Sequence, residues 1–136
     1  MYKILLIDDE TTITNVLSYM LASENYEVNV SHSAKEGLAA CLKEMPDLVL
    51  LDVMLPDGSG LDLCRTMKNT AAIKHIPVII LTGTALSVEN KIEGLESGAD
   101  DYIPKVSIGS ELLVRVAGIL KRSFNTAGQK TAGTGR

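Results

Sequence analysis

Residues 3–10 read KILLIDDE, an apolar run that passes directly into three acids. An unbroken apolar run without alternation suits a strand covered on both faces, as in a parallel sheet flanked by helices. Two like charges about 4 Å apart repel by about 1 kcal/mol in water and about 4 kcal/mol at a protein-surface dielectric. One acid at a strand end can serve the next helix through its macrodipole. Three in succession point to a cation. The pattern recurs along the chain: LVLL at 48–51 ends on Asp52, and VIIL at 78–81 ends on Thr82. EVNV at 27–30 alternates, which places it nearer an edge. YIP at 102–104 is short, and Pro104 cannot donate to a ladder, which also marks an edge strand.

Helical stripes separate these runs. Ile13, Val16, Leu17, Met20 and Leu21 share one face, as do Leu38, Cys41, Leu42 and Met45 after the capping box Ser33-x-x-Glu36. Leu61, Cys64 and Met67 predict a third helix. Val88, Ile92 and Leu95 predict a fourth that ends at Gly98, and Leu112, Val116, Ile119 and Leu120 a fifth. Strict βα alternation predicts an α/β fold, a doubly wound parallel sheet with right-handed crossovers and helices on both faces. From Ser123 onward SFNTAGQKTAGTGR loses periodicity, so residues 1–122 are expected to form the domain and 123–136 a flexible tail or linker.

The chain has 136 residues, enough for one domain with a substantial core. Its net charge of −4 argues against direct nucleic-acid contact by this domain. No apolar run is long enough to span a membrane, and the start lacks the basic and apolar regions of a signal peptide. Cys41 and Cys64 lack metal or redox spacing and fall on apolar helix faces. They read as reduced packing residues of a cytoplasmic protein.

In an open α/β sheet, ligands bind beyond the carboxyl ends of the strands. This chain places Asp8, Asp9 and Glu10 there after strand 1, Asp52 after strand 3, Thr82 and Gly83 after strand 4, and Lys105 after strand 5. If strands 1 and 3 are neighbours, Asp8, Asp9 and Asp52 converge. Such a set suits Mg²⁺, a hard cation that keeps several waters and takes few protein oxygens. A cation beside a free carboxylate, a hydroxyl and an ammonium is also what phosphoryl transfer requires. Asp52 stands alone on its strand end and is the candidate nucleophile. Gly58 and Gly60 read as turn residues, Asp57 as a turn acid, and His32 and His75 as surface residues.

The motifs LLIDDE, PDLVLLDVMLPDGSG, IPVIILTG and GLESGADDYIPK jointly resemble the receiver domain of bacterial two-component response regulators, across residues 2–122. The resemblance implies a flavodoxin-like sheet of order 2-1-3-4-5 with five helices. It implies Asp52 as phosphoacceptor, with Asp9, Asp52 and the backbone carbonyl of Met54 on Mg²⁺ and Asp8 acting largely through water. Thr82 and Lys105 would bind the phosphoryl oxygens, and Tyr102 would hold the aromatic switch position. Met54 and Thr84 would tune hydrolysis of the acyl phosphate. Implied partners are a sensor histidine kinase or phosphotransfer protein, an effector domain or target protein, and a second copy in a phosphorylation-dependent homodimer. Lys91, Glu96, Asp100, Asp101, Glu111, Arg115 and Arg122 lie where such a dimer surface would form, or are ordinary solvated charges. Such a domain catalyses only its own phosphorylation and dephosphorylation.

One departure stands out: Val106 follows Lys105 where the family usually has proline, which implies a trans peptide and a shifted loop. Two rival readings follow. A degenerate receiver would act as a phosphorylation-independent binding module. A Mg²⁺-dependent aspartyl phosphohydrolase is opposed by the absence of an Asp-x-Asp motif at Asp52 and of any cap domain.

Overall fold

The computed structural model describes residues 1–83 and 88–134. Thr84, an expected hydrolysis-tuning position, lies outside the described residues. The elements alternate: β1 (Lys3–Ile7), α1 (Thr11–Ser23), β2 (Glu27–Ser31), α2 (Ala34–Glu44), β3 (Leu48–Asp52), α3 (Gly60–Lys68), β4 (Val78–Thr82), α4 (Val88–Glu96), β5 (Asp101–Pro104) and α5 (Ser110–Thr134). The five strands are parallel in the order β2-β1-β3-β4-β5, the order that the resemblance implies. A two-residue antiparallel ladder, Met54–Leu55 with Gly58–Ser59, folds the loop after β3 into a hairpin.

Alternate residues of the central strands feed two cores. Leu5, Ile7, Val49, Leu51, Val78 and Ile80 pack with Cys41 of α2 and with Leu61, Cys64 and Met67 of α3. Leu6, Leu48, Leu50, Ile79 and Leu81 pack with Leu17 and Leu21 of α1 and with Leu112, Val116, Ile119 and Leu120 of α5. A strand buried on both faces must be apolar at every position, which is why β1, β3 and β4 read as continuous runs. Both cysteines are buried free thiols, and burial pushes the Cys41 thiol up to about 11, which suits packing rather than reactivity.

Several expected stripes are narrower than predicted. In α1, Val16 is exposed and Thr14 is buried in its place. In α2, Leu42 and Met45 are exposed, while Gly37 lies against Ile7, where a Cβ would come within 2.6 Å of Cδ1. In α4, Ile92 and Leu95 are nearly half exposed, and Gly94 and Ser97 face inward. The reason is close approach: small residues let these helices sit against large strand residues, and periodicity of large apolar residues misses them.

The expectation of a flexible tail from Ser123 is corrected, since α5 is helical through Thr134. Phe124 packs edge-on to Tyr2 with ring centroids 4.8 Å apart, so the chain is still held by the domain at that point. Residues 123–134 contain no proline, and a helix already nucleated on a packed face gains a hydrogen bond with each added residue.

Candidate functional site

Strand register sets the site. Ile7 pairs with Leu51, Asp52 with Leu81 and Thr82 with Pro104, so the residues that follow each buried run open on one edge of the sheet. Asp8, Asp52 and Thr82 are all buried there. The loop after β3 is held from several sides. Val53 N–H donates to Leu81 O at 3.2 Å and Gly60 N–H to Val53 O at 2.6 Å. Gly60 is pressed so closely on this turn that a Cβ would lie 1.9 Å from the carbonyl oxygen of Asp52. It is a close-approach glycine rather than a turn residue alone.

Lys105 reaches into the middle of the acids. Its Nζ lies 2.6 Å from Glu10 Oε1, 3.0 Å from Asp8 Oδ2 and 3.3 Å from Asp52 Oδ2. Burial alone would lower its pKa, but hydrogen bonds from its ammonium to Glu10 and Asp8, with the charge of Asp52, hold it well above the usual lysine range. Asp52 moves the other way. Desolvation and the neighbouring Asp8 carboxylate push its pKa up to about 6, against the pull of Lys105 and of the Met54 backbone N–H. At Gly83 an added Cβ would come no closer than 4.0 Å to Lys105 Cδ.

The carboxylates of Asp8, Glu10 and Asp52 offer oxygens within 4.8 Å of one another. Asp9, expected beside Asp52 on the metal, is exposed, as Glu10 is, and its carboxylate is not one of these three. The chain bends at Asp9, Asp8 Oδ1 accepts from Glu10 N–H at 2.9 Å across that bend, and Glu10, itself exposed, reaches Lys105 at 2.6 Å. Glu10 is a residue that the sequence reading left without a role, and its neighbours in the sequence do not single it out.

Do these residues fit a divalent cation? Asp8 Oδ2 is buried against the Lys105 ammonium at 3.0 Å, while Asp8 Oδ1 accepts from Glu10 N–H at 2.9 Å. Buried carboxylates that share one site need positive charge, and in this structure an ammonium supplies it. The donor set is all oxygen, which suits Mg²⁺. The fit is good.

Other expected positions resolve as follows. Tyr102 is buried, its ring so close under Gly94 that a Cβ there would lie 2.2 Å from Tyr102 Cδ2. Met54 is exposed at the rim. Asp57 does more than turn the chain. Its Oδ1 accepts from Ala34 N–H at 2.7 Å and its Oδ2 from Lys35 N–H at 3.0 Å, so it caps α2 from a distant loop. Those two donors hold its carboxyl below the ordinary range. His32 sits at the site's edge, with Nδ1 3.2 Å from Asp8 O. Asp100 is structural, accepting from Val78 N–H at 2.8 Å and pairing with Lys68, while Asp101 holds Arg115 through both oxygens. After Lys105 the chain makes one 3-10 turn, Lys105–Ser107, with Val106 projecting into solvent. Among the described residues no helix is long and apolar enough to cross a membrane.

Comparison with known proteins agrees with this geometry. The family model for the response regulator receiver domain matches residues 4–117. Over 135 residues the chain is 39% identical to the transcriptional regulatory protein CpxR of Klebsiella pneumoniae, covering 99% of this chain and 56% of that one. A CheY-like receiver domain from Methanospirillum hungatei superposes with a TM-score of 0.85 at 33% identity, over 93% of this chain and 98% of that one. The BeF3-activated receiver domain of Klebsiella pneumoniae RstA gives a TM-score of 0.79 at 32% identity, over 87% and 97%. The chain spans about half the length of the curated relatives it matches.

Proposed function

The chain belongs to the response regulator receiver family, and on that premise we propose that it is a phosphorylation-controlled switch whose acceptor is Asp52. The observation that carries this reading is the convergence of Asp8, Asp52 and Lys105 within ion-pair distance at the carboxyl edge of the sheet. Asp9 and Asp52, with the backbone carbonyl of Met54 and with Asp8 acting largely through water, would hold Mg²⁺, which when bound supplies positive charge to neutralise the incoming phosphoryl group. A sensor histidine kinase or phosphotransfer protein would be the donor. A carboxylate oxygen of Asp52 forms the new P–O bond as the P–N bond to the donor histidine breaks. The electron pair stays on the imidazole nitrogen, which takes up a proton. Lys105 and the Thr82 hydroxyl would bind the phosphoryl oxygens.

The product adds about −1.5 to −2 charges at Asp52, by analogy with hydroxyl phosphorylation. Carrying a two-state switch from 1:99 to 99:1 needs about 5.5 kcal/mol of differential stabilisation, which a dianion paired with a metal and a buried lysine can provide. The response would pass from Thr82 and Lys105 to Tyr102 beneath α4, and so to the α4–β5–α5 face. That face exposes Ile92, Leu95 and Val114 to an effector domain, a target protein or a second copy in a homodimer. The names of the relatives, and their greater length, support a transcriptional output through an attached domain. Met54 offers no group to orient water, so self-dephosphorylation would be slow, with Thr84 as the second tuning position.

The test is the chemistry of the product. Labelled acetyl phosphate should leave a Mg²⁺-dependent label that hydroxylamine removes, as it removes acyl phosphates. A label indifferent to hydroxylamine or to Mg²⁺ removal would defeat the reading.

A further inference from the structure

We propose that Glu10 is the positioning residue of Lys105: when Asp8 and Asp52 turn to a cation and a phosphoryl group, the ammonium stays tethered to Glu10 at the mouth of the site. The proposal rests on the phosphoacceptor reading above and assigns a role to a residue that reading leaves unused.

Three observations converge. The Glu10 contact is the shortest of the three that Lys105 makes, at 2.6 Å. Glu10 is also the partner nearest to solvent, 58% exposed, against 0% for Asp8 and 6% for Asp52. A divalent cation between Asp8 and Asp52 repels the ammonium, and the remaining carboxylate within its reach is that of Glu10. Second, Glu10 occupies the N-cap position of α1 but makes no side-chain cap bond. A capping Ser, Thr, Asp or Asn there typically contributes about 1 kcal/mol. The position forgoes that, and the carboxylate goes to the lysine. Third, the lysine's loop is short and lightly held, closed by Ile108 N–H on Lys105 O at 3.2 Å. It is one 3-10 turn, and Val106 beside it is 91% exposed. Three carboxylates surround the ammonium of this largely buried side chain, and the contact with Glu10 is the shortest of them.

The experiment is a double-mutant cycle: unaltered protein, Glu10→Gln, Lys105→Met and the pair combined. Phosphorylation rate constants from acetyl phosphate are measured at saturating Mg²⁺. We expect Glu10→Gln to slow phosphorylation about threefold to tenfold when Lys105 is present, the range for a partly exposed charged pair. In the Lys105→Met background it should not slow it at all. Removing a negative charge favours an anionic donor, so slowing cannot come from the lost charge alone. A second readout needs neither metal nor donor. The Lys105 ammonium should give a slowly exchanging ¹⁵N signal in the metal-free protein that is lost in Glu10→Gln and kept in Glu10→Asp. Equal slowing in both backgrounds, or no slowing in either, overturns the proposal while the phosphoacceptor reading stands. No phosphorylation of the unaltered protein overturns both.

Discussion

Replacing Lys105 with methionine removes the positive charge from a site whose two buried carboxylates are 0% and 6% exposed. At 3.0 and 3.3 Å, and an effective dielectric of about 20, each contact carries a gross attraction of about 5 kcal/mol. Much of that offsets desolvation, and breaking one partner of a buried pair typically costs about 3–5 kcal/mol. Proton uptake limits the loss. Asp52 already titrates at about 6, and each further unit costs about 1.4 kcal/mol at neutral pH. Lys105→Met should therefore lose about 3 kcal/mol in metal-free buffer at pH 7. Mg²⁺ at 100 times its dissociation constant should return about 2.7 kcal/mol by mass action. Urea unfolding followed by circular dichroism, with EDTA or with MgCl₂, measures both. A loss below about 1 kcal/mol without metal, or one that Mg²⁺ leaves unchanged, would refute this account of the site's electrostatics.

The remaining predictions concern the acid, two glycines and the rim. Asp52 has a raised pKa when folded, so without metal its contribution to stability is full below about pH 4 and is lost as pH rises to about 6. The stability difference between unaltered protein and Asp52→Asn should follow that course in EDTA, and a difference constant with pH would contradict it. Gly60→Ala sets a Cβ against backbone, 1.9 Å from Asp52 O, and should cost about 1–3 kcal/mol or more in urea unfolding while slowing phosphorylation. Gly94→Ala should expel the Tyr102 ring, read as an exposed fluorotyrosine resonance at that position; a ring that stays buried would count against the packing described. Met54→Asn should speed loss of the phosphoryl group, and an unchanged lifetime would remove Met54 from the tuning positions.

The fold was legible because its strands are buried on both faces, and β1, β3 and β4 announce this as unbroken apolar runs. The order of the strands came instead from the resemblance to receiver domains, and the edge place of β5 from its shortness and Pro104. Asp52, Thr82 and Lys105 were legible as the first polar groups after those runs. What escaped was whatever depends on small residues or direction. Gly37, Gly60 and Gly94 act by close approach and carry no periodic signal. Glu10 was overlooked because three acids stand in succession at the strand end, and no local pattern marks the one that reaches Lys105. Asp57 reaches α2 across a separation of 23 residues, beyond any local pattern. The helix past Ser123 was missed because its composition reads as linker, while the Phe124–Tyr2 contact that holds it spans the length of the domain.

The central claim is one phosphoryl group on one aspartate. Its most direct measurement is the intact mass of the protein after incubation with Mg²⁺ and acetyl phosphate, beside Asp52→Asn and a known receiver treated alike. The account predicts a single phosphoryl gain that requires Mg²⁺ and is absent from the Asp52→Asn protein. No gain, while the known receiver is labelled, would contradict it and leave a binding module that works without phosphorylation.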